Sequence, residues 1–275
     1  MVTRGDYDAA AVRAAHSVLI ELFHLLGEYR EHIALVGGWV PELLPVLRNK
    51  GHVGSIDVDL ALDHRQLAET GYRTIHALLS RQGYRQGKQP FIFFRKTLIE
   101  GHEIEVQVDL LAGEYEGTDR NHRHQRVQDV FARKARGCDL AFEWPVDVAV
   151  EGDLPGGGKD TVTVRVASVV PFLVMKGMAM HDRLKAKDAW DIYFCIRNYA
   201  GGIEALAREF DPLLGNGLVH EGLEKVAGKF AGVNHIGPRM VVEFEEIEDV
   251  EEREIVRRDA FEQVKALLRR LGMAG

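Results

Sequence analysis

The run Ile56-Asp57-Val58-Asp59-Leu60-Ala61-Leu62 alternates polar and apolar side chains with the two-residue period of a β-strand. Residues i and i+2 of a strand point the same way, so Asp57 and Asp59 share one face while Ile56, Val58 and Leu60 share the other. Two carboxylates held this close repel each other unless a divalent cation lies between them. Hard oxygen donors of this kind suit Mg²⁺ or Mn²⁺ held together with substrate phosphates. Upstream, the apolar run Ala34-Leu35-Val36 ends in Gly37-Gly38, where the missing side chains let the backbone turn sharply and a polyphosphate approach its N–H groups. Trp39 to Leu44 then reads as the opening of a short helix reaching about Leu47. The spacing is neither that of a Walker A loop, which ends in GK[ST], nor that of the GxGxxG dinucleotide fingerprint.

A second alternating run, Glu103 to Leu111, turns Ile104, Val106, Val108 and Leu110 one way and Glu103, Glu105, Gln107 and Asp109 the other. Such a face is either half open to water or part of a site. Two segments carry helical signatures. Asp8 to Tyr29 is an amphipathic helix, and His16 and His24 within it, like His32 just beyond it, read as surface or boundary histidines. His64 to Gly83 reads as a second helix, N-capped by Asp63. Between them, residues 48–55 form a glycine-marked loop in which Arg48, Lys50 and Ser55 are candidates to meet phosphates. Pro90 to Arg95, Leu140 to Val150 and Thr161 to Val166 read as strands, the last two joined by a glycine-rich hairpin loop at Gly156 to Gly158.

Charge narrows the partners. The chain has 42 acidic and 35 basic residues, a formal net charge of −7, which disfavours general coating of nucleic acid. Against that background, Asn121 to Gly137 carries Arg123, Arg126, Arg133, Lys134 and Arg136 with the single acid Asp129. It reads either as part of a track for an RNA or as a solvated helix or loop. The two cysteines, Cys138 and Cys195, lack CxxC spacing; they argue against a disulfide framework or zinc ribbon and fit a reducing cytoplasm. The polar start, and the lack of an apolar run of about 18 residues, set the expectation of a cytoplasmic chain without a membrane span.

A second constellation begins where Ser168 and Pro171 suggest a helix start. Lys176, Arg183, Lys187, Asp188 and Asp191 recur there among apolar residues, with Asp188 and Asp191 three apart on one helical face. Ion pairing or polar ordering within a helical lobe accounts for such a pattern, as does contact with a ligand. Gly201 to Gly275 continues with helical periodicity broken by glycines, and its acidic run, Glu243 to Glu254, carries no chemistry.

Gly37-Gly38 followed by Asp57-x-Asp59 resembles the glycine motif and metal-binding pair of the nucleotidyltransferase superfamily that includes DNA polymerase beta. It looks like the minimal AbiEii-type enzymes of bacterial toxin–antitoxin pairs in particular, although many superfamily members have serine where Gly38 stands. Lys176 followed by Arg183-x-x-x-Lys187-Asp188-x-x-Asp191 matches the pattern of charged residues in that family. The resemblance implies an α+β fold: a nucleotidyltransferase lobe with a mixed sheet flanked by helices over residues 1–166, and a mainly helical lobe over residues 167–275. It also implies a third carboxylate. Asp109 is preferred for it, at a strand end in an apolar-Asp-apolar setting, with Glu105 as the alternative on the same face.

The expected reaction is metal-dependent transfer of a nucleoside monophosphate from a nucleoside triphosphate (NTP) to a hydroxyl. Asp57, Asp59 and Asp109 would hold Mg²⁺ or Mn²⁺, and Asp109 could also take the proton. Gly37, Gly38, Ser55 and Lys176 would orient phosphates. Arg183, Lys187 and Asp188 would bind or buttress the nucleotide. The resemblance favours a toxin acting on tRNA and kept by a cognate antitoxin; a small-molecule or protein acceptor, or a non-catalytic binding scaffold, are the alternatives.

Overall fold

A computed structural model describes residues 3–47, 49–67, 74–114 and 124–273. Arg48, Arg123 and the stretch 68–73 of the expected second helix lie outside them. The chain divides into two compact units, one of residues 7–43 and 54–168, the other of residues 1–6, 44–53 and 169–275.

The first unit is built on α1 (Ala9–Leu25), β1 (Ile33–Val36), α2 (Val40–Leu43), β2 (Asp57–Leu62), α3 (Ile75–Arg81), β3 (Arg85–Gln86), β4 (Ile92–Ile99), β5 (His102–Ala112), β6 (His124–Val127), β7 (Val130–Lys134), β8 (Val146–Asp153) and β9 (Lys159–Val166). Its described strands form one mixed sheet in the order β3-β4-β5-β2-β1-β9-β8, and β7 pairs with the end of β5 and carries β6. The pairings of β2 with β5, β1 with β9 and β5 with β7 are parallel, and the others are antiparallel. Asp8 starts α1 by accepting the backbone N–H groups of Ala10 and Ala11. The helix lays Ala14, Ala15, Val18, Leu19 and Leu22, all fully buried, against the sheet. Val58, Leu60, Val106, Val108 and Leu110 are equally buried, as the alternation requires, and Asp57 and Asp59 stay half-buried. One buried ionic group belongs to this core: Glu21 of α1 accepts both Nε and Nη2 of Arg95, the Tyr84 hydroxyl and Gln82 Nε2.

Three expectations change. The segment after Asp63 is a turn over residues 64–67, and the helix proper is α3, capped by Thr74, whose Oγ1 accepts Ala77 N–H. Asp63 instead accepts Arg65 N–H within that turn. Residues Cys138–Phe142 form a 3-10 turn, so the strand expected from Leu140 begins at Val146; the left-handed Gly137 before the turn breaks the extended run. Where described, the basic stretch is the hairpin β6–β7 over residues 124–134, followed by a turn that carries Arg136.

The second unit is helical: α4 (Val169–Asp182), α5 (Ala186–Asn198), α6 (Gly202–Phe210), α7 (Gly217–Lys229), α8 (Ile236–Phe244) and α9 (Val250–Arg270). Helices α4 and α7 approach closely at two glycines. A Cβ on Gly177 would stand 2.5 Å from the Gly222 carbonyl oxygen, so only glycine fits there. Residues 44–53 belong to this unit, where Ala200 N–H donates to Val46 O and His52 meets Asp191. Among the described residues no helix is long and apolar enough to cross a membrane.

Candidate active site

Strand register assembles the carboxylates of the first unit. Parallel pairing of β2 with β5 sets Asp57 opposite Gln107 and Asp59 opposite Asp109. Directly paired residues project from the same face of a sheet, so all three aspartates share the face that α1 does not cover. Glu105 lies further back along β5, half exposed, and bonds Arg85 Nη2 at 3.0 Å. Asp109 is buried and accepts Gln107 Nε2 at 2.9 Å.

Tight backbone packing surrounds Asp59. Antiparallel pairing puts Val36 opposite it, and the next residue, Gly37, has φ +72°, in the left-handed region. A Cβ on Gly37 would lie 2.0 Å from Asp59 Oδ2. Gly37 therefore serves two demands, a turn and a close approach. Gly38 and Trp39 complete a buried 3-10 turn, and Trp39 Nε1 donates to the Asp57 carbonyl at 2.9 Å. Trp39 thus fixes the strand end that carries the carboxylates, a role invisible in the sequence apart from its place after the glycine pair. Helix α2 that follows is a single turn. Ser55 is buried and its hydroxyl donates to Asp57 Oδ1. Lys50 is exposed in the loop.

The donors suit a hard divalent ion: three carboxylates, no soft ligand. No group of three His, Cys, Asp or Glu side chains among the described residues converges as a ready-made metal cage. Behind the site, the Cys138 thiol is pushed up by burial, then by Asp139 and Asp59, with Arg133 opposing. It is held as the thiol and packs as a small hydrophobe.

The residues of the second constellation form a buried ionic lattice in the helical unit. Lys176 Nζ of α4 stands 2.7 Å from both Asp188 Oδ1 and Asp191 Oδ2 of α5. Lys187 Nζ lies 2.9 Å from Asp191 Oδ1, and Arg183 Nε 3.0 Å from Asp188 Oδ2. Both carboxylates are fully buried, and Arg183 is the exposed member. Burial opposes each charge, but the partners outweigh it: Asp188 and Asp191 hold the Lys176 pKa well above the usual lysine range, and the cations hold both aspartates below theirs.

His52 closes the lattice. Its Nε2 lies 2.9 Å from Asp191 Oδ1, and its ring packs 4.9 Å from both the Trp190 and Phe194 rings. Burial and the nearby Lys187 lower its pKa to about 4 despite Asp191, so the imidazole is neutral near pH 7 and donates from Nε2. The sequence shows His52 only as a loop residue; its partner lies 139 positions away.

The structure thus gathers Gly37, Gly38, Ser55, Asp57, Asp59 and Asp109 in the sheet unit, and Lys176, Arg183, Lys187 and Asp188 in the helical unit. A search of curated proteins and of solved structures finds no match. The family model of the AbiEii nucleotidyl transferase toxin, a type IV toxin–antitoxin system, matches residues 22–269, nearly the whole chain. This chain belongs to the AbiEii nucleotidyl transferase toxin family and is a nucleotidyltransferase.

Proposed function

We propose that the protein transfers a nucleoside monophosphate from an NTP to a hydroxyl of an RNA acceptor of the tRNA class. The acceptor oxygen bonds to the α-phosphorus, the bond from that phosphorus to the bridging oxygen breaks, and pyrophosphate leaves. The observation that carries the reading is the rung formed by Asp59 and Asp109, with Gly37 packed against Asp59.

Asp57, Asp59 and Asp109 would hold Mg²⁺ or Mn²⁺, which when bound neutralises the charge that develops on the phosphates. Asp109 takes the hydroxyl proton. Gln107 orients Asp109, Ser55 orients Asp57, and Trp39 fixes the backbone between them. The N–H groups of the turn at Gly37 and Gly38 are the donors for phosphate oxygens. In the helical unit, Arg183 supplies an exposed cation for the nucleotide; Asp188 holds it, and Lys176 in turn holds Asp188 while Lys187 holds the neighbouring Asp191. Membership of a type IV toxin–antitoxin family supports a cognate antitoxin and action inside the cell.

The test is incubation of the protein with each labelled NTP, Mg²⁺ or Mn²⁺, and total RNA, beside Asp57→Asn. Label on a tRNA-sized band that vanishes in the variant supports the reading. Label moving only to protein or small molecules rejects the RNA acceptor.

A further inference from the structure

The hairpin β6–β7 has two unlike faces. Val127, Val130 and Ala132 point one way and are buried. The antiparallel register pairs Arg126 with Phe131 and His124 with Arg133, so these four side chains share the other face. Phe131 is 36% exposed there, and the His124 ring stands edge-on to it at 5.0 Å and tilted to Phe91 at 6.3 Å. Arg126 uses its Nε on the turn carbonyl of Gln128. No acid stands on this face of the hairpin. Asp129, in the turn, accepts His76 N–H instead.

This outer face continues the face of the sheet that carries the carboxylates. Parallel pairing sets Arg133 opposite Leu111, two residues beyond Asp109 and of the same parity. One strand spacing and two residue rises put the backbones of Arg133 and Asp109 about 8 Å apart. In a chain of net charge −7, a strip of two arginines, Arg126 exposed and Arg133 half-buried, with an exposed ring beside three carboxylates has a specific use. Arginines take backbone phosphates and the ring takes an unstacked base, whereas a duplex offers no free base face.

We infer that the outer face of this hairpin, His124, Arg126, Phe131 and Arg133, holds a single-stranded end of the acceptor RNA and leads it towards Asp59 and Asp109. The inference rests on the RNA acceptor proposed above.

Its test measures binding of a fluorescent single-stranded RNA of about twelve nucleotides to the full chain without NTP, over a salt series. Arg126→Gln/Arg133→Gln weakens binding about 10-fold or more and lowers the slope of log K against log salt by about 1.4, two phosphates at ~0.7 each. Phe131→Ala weakens binding about 5-fold or more with the slope unchanged. Arg126→Lys/Arg133→Lys restores the slope, which separates lost charge from lost folding. Wild-type affinity and slope in the double glutamine variant would overturn the inference, and normal transfer to RNA by that variant would do so while leaving the proposed function standing. Absence of transfer to any RNA by the wild type would remove the acceptor and the inference together. Preference for polyglutamate over RNA, lost in the same variants, would reassign the strip to an acidic protein.

Discussion

A Cβ on Gly37 would stand 2.0 Å from Asp59 Oδ2, so the turn after β1 and the carboxylate on β2 are one steric unit. Gly37→Ala adds left-handed strain of about 1–2 kcal/mol and forces Asp59 to move. Misplacement of a reacting group by about 1 Å costs on the order of 100-fold in rate. Urea unfolding should therefore show a loss of about 2 kcal/mol or more, and nucleotide transfer should fall at least ~10-fold. Gly51→Ala is the control: φ is +81° with nothing within 4 Å, so it carries the strain alone and keeps transfer.

Acid stability should report His52. Its folded pKa of about 4 lies below the free value of 6.5, so between those values the unfolded chain binds the extra proton. The stability it contributes is present above pH 6.5 and is lost as pH falls through about 4, roughly 3 kcal/mol in all. Its charged and titratable neighbours are Asp191, Lys187 and Lys176. His16 is lowered by burial against the pull of Asp153, and adds to the same window. The difference between wild type and His52→Asn in urea unfolding from pH 7 to pH 4 isolates the His52 share: the two curves should converge as pH falls.

Lys176 is the cation shared by two buried carboxylates, and its removal leaves Asp188 with Arg183, and Asp191 with Lys187 and the neutral His52. Lys176→Met should cost about 3–5 kcal/mol in thermal or urea unfolding, as expected when one partner of a buried pair is deleted. Arg183→Gln, at the exposed edge of the same lattice, should cost under about 1 kcal/mol while raising KM for NTP. Equal stability losses in the two variants would contradict the lattice.

The carboxylate strand was legible because a two-residue period encodes its faces without any knowledge of partners: Val58 and Leu60 are fully buried, Asp57 and Asp59 half so. The pairing of Asp59 with Asp109 was not, since parallel register between distant strands is set by what packs around them. Residues 140–142 misled by apolar composition, where the left-handed Gly137 turns the chain into a 3-10 segment. Asp188 and Asp191 share a face as their spacing requires. That the lysine beside them is also buried, and that His52 reaches Asp191 from a loop, depends on tertiary contacts that no local pattern carries.

The central claim is that the rung of Asp59 and Asp109 carries the chemistry, and substitution along β5 tests it most directly. Nucleotide transfer should be measured for wild type, Asp59→Asn, Asp109→Asn and Glu105→Gln, each with Mg²⁺ and with chelator, after circular dichroism has shown the variants folded. The expected result is a loss on the order of 10³-fold for Asp59→Asn and Asp109→Asn, and with chelator, but only a few-fold change for Glu105→Gln. Full activity in Asp109→Asn together with loss in Glu105→Gln would contradict the register as the basis of the site.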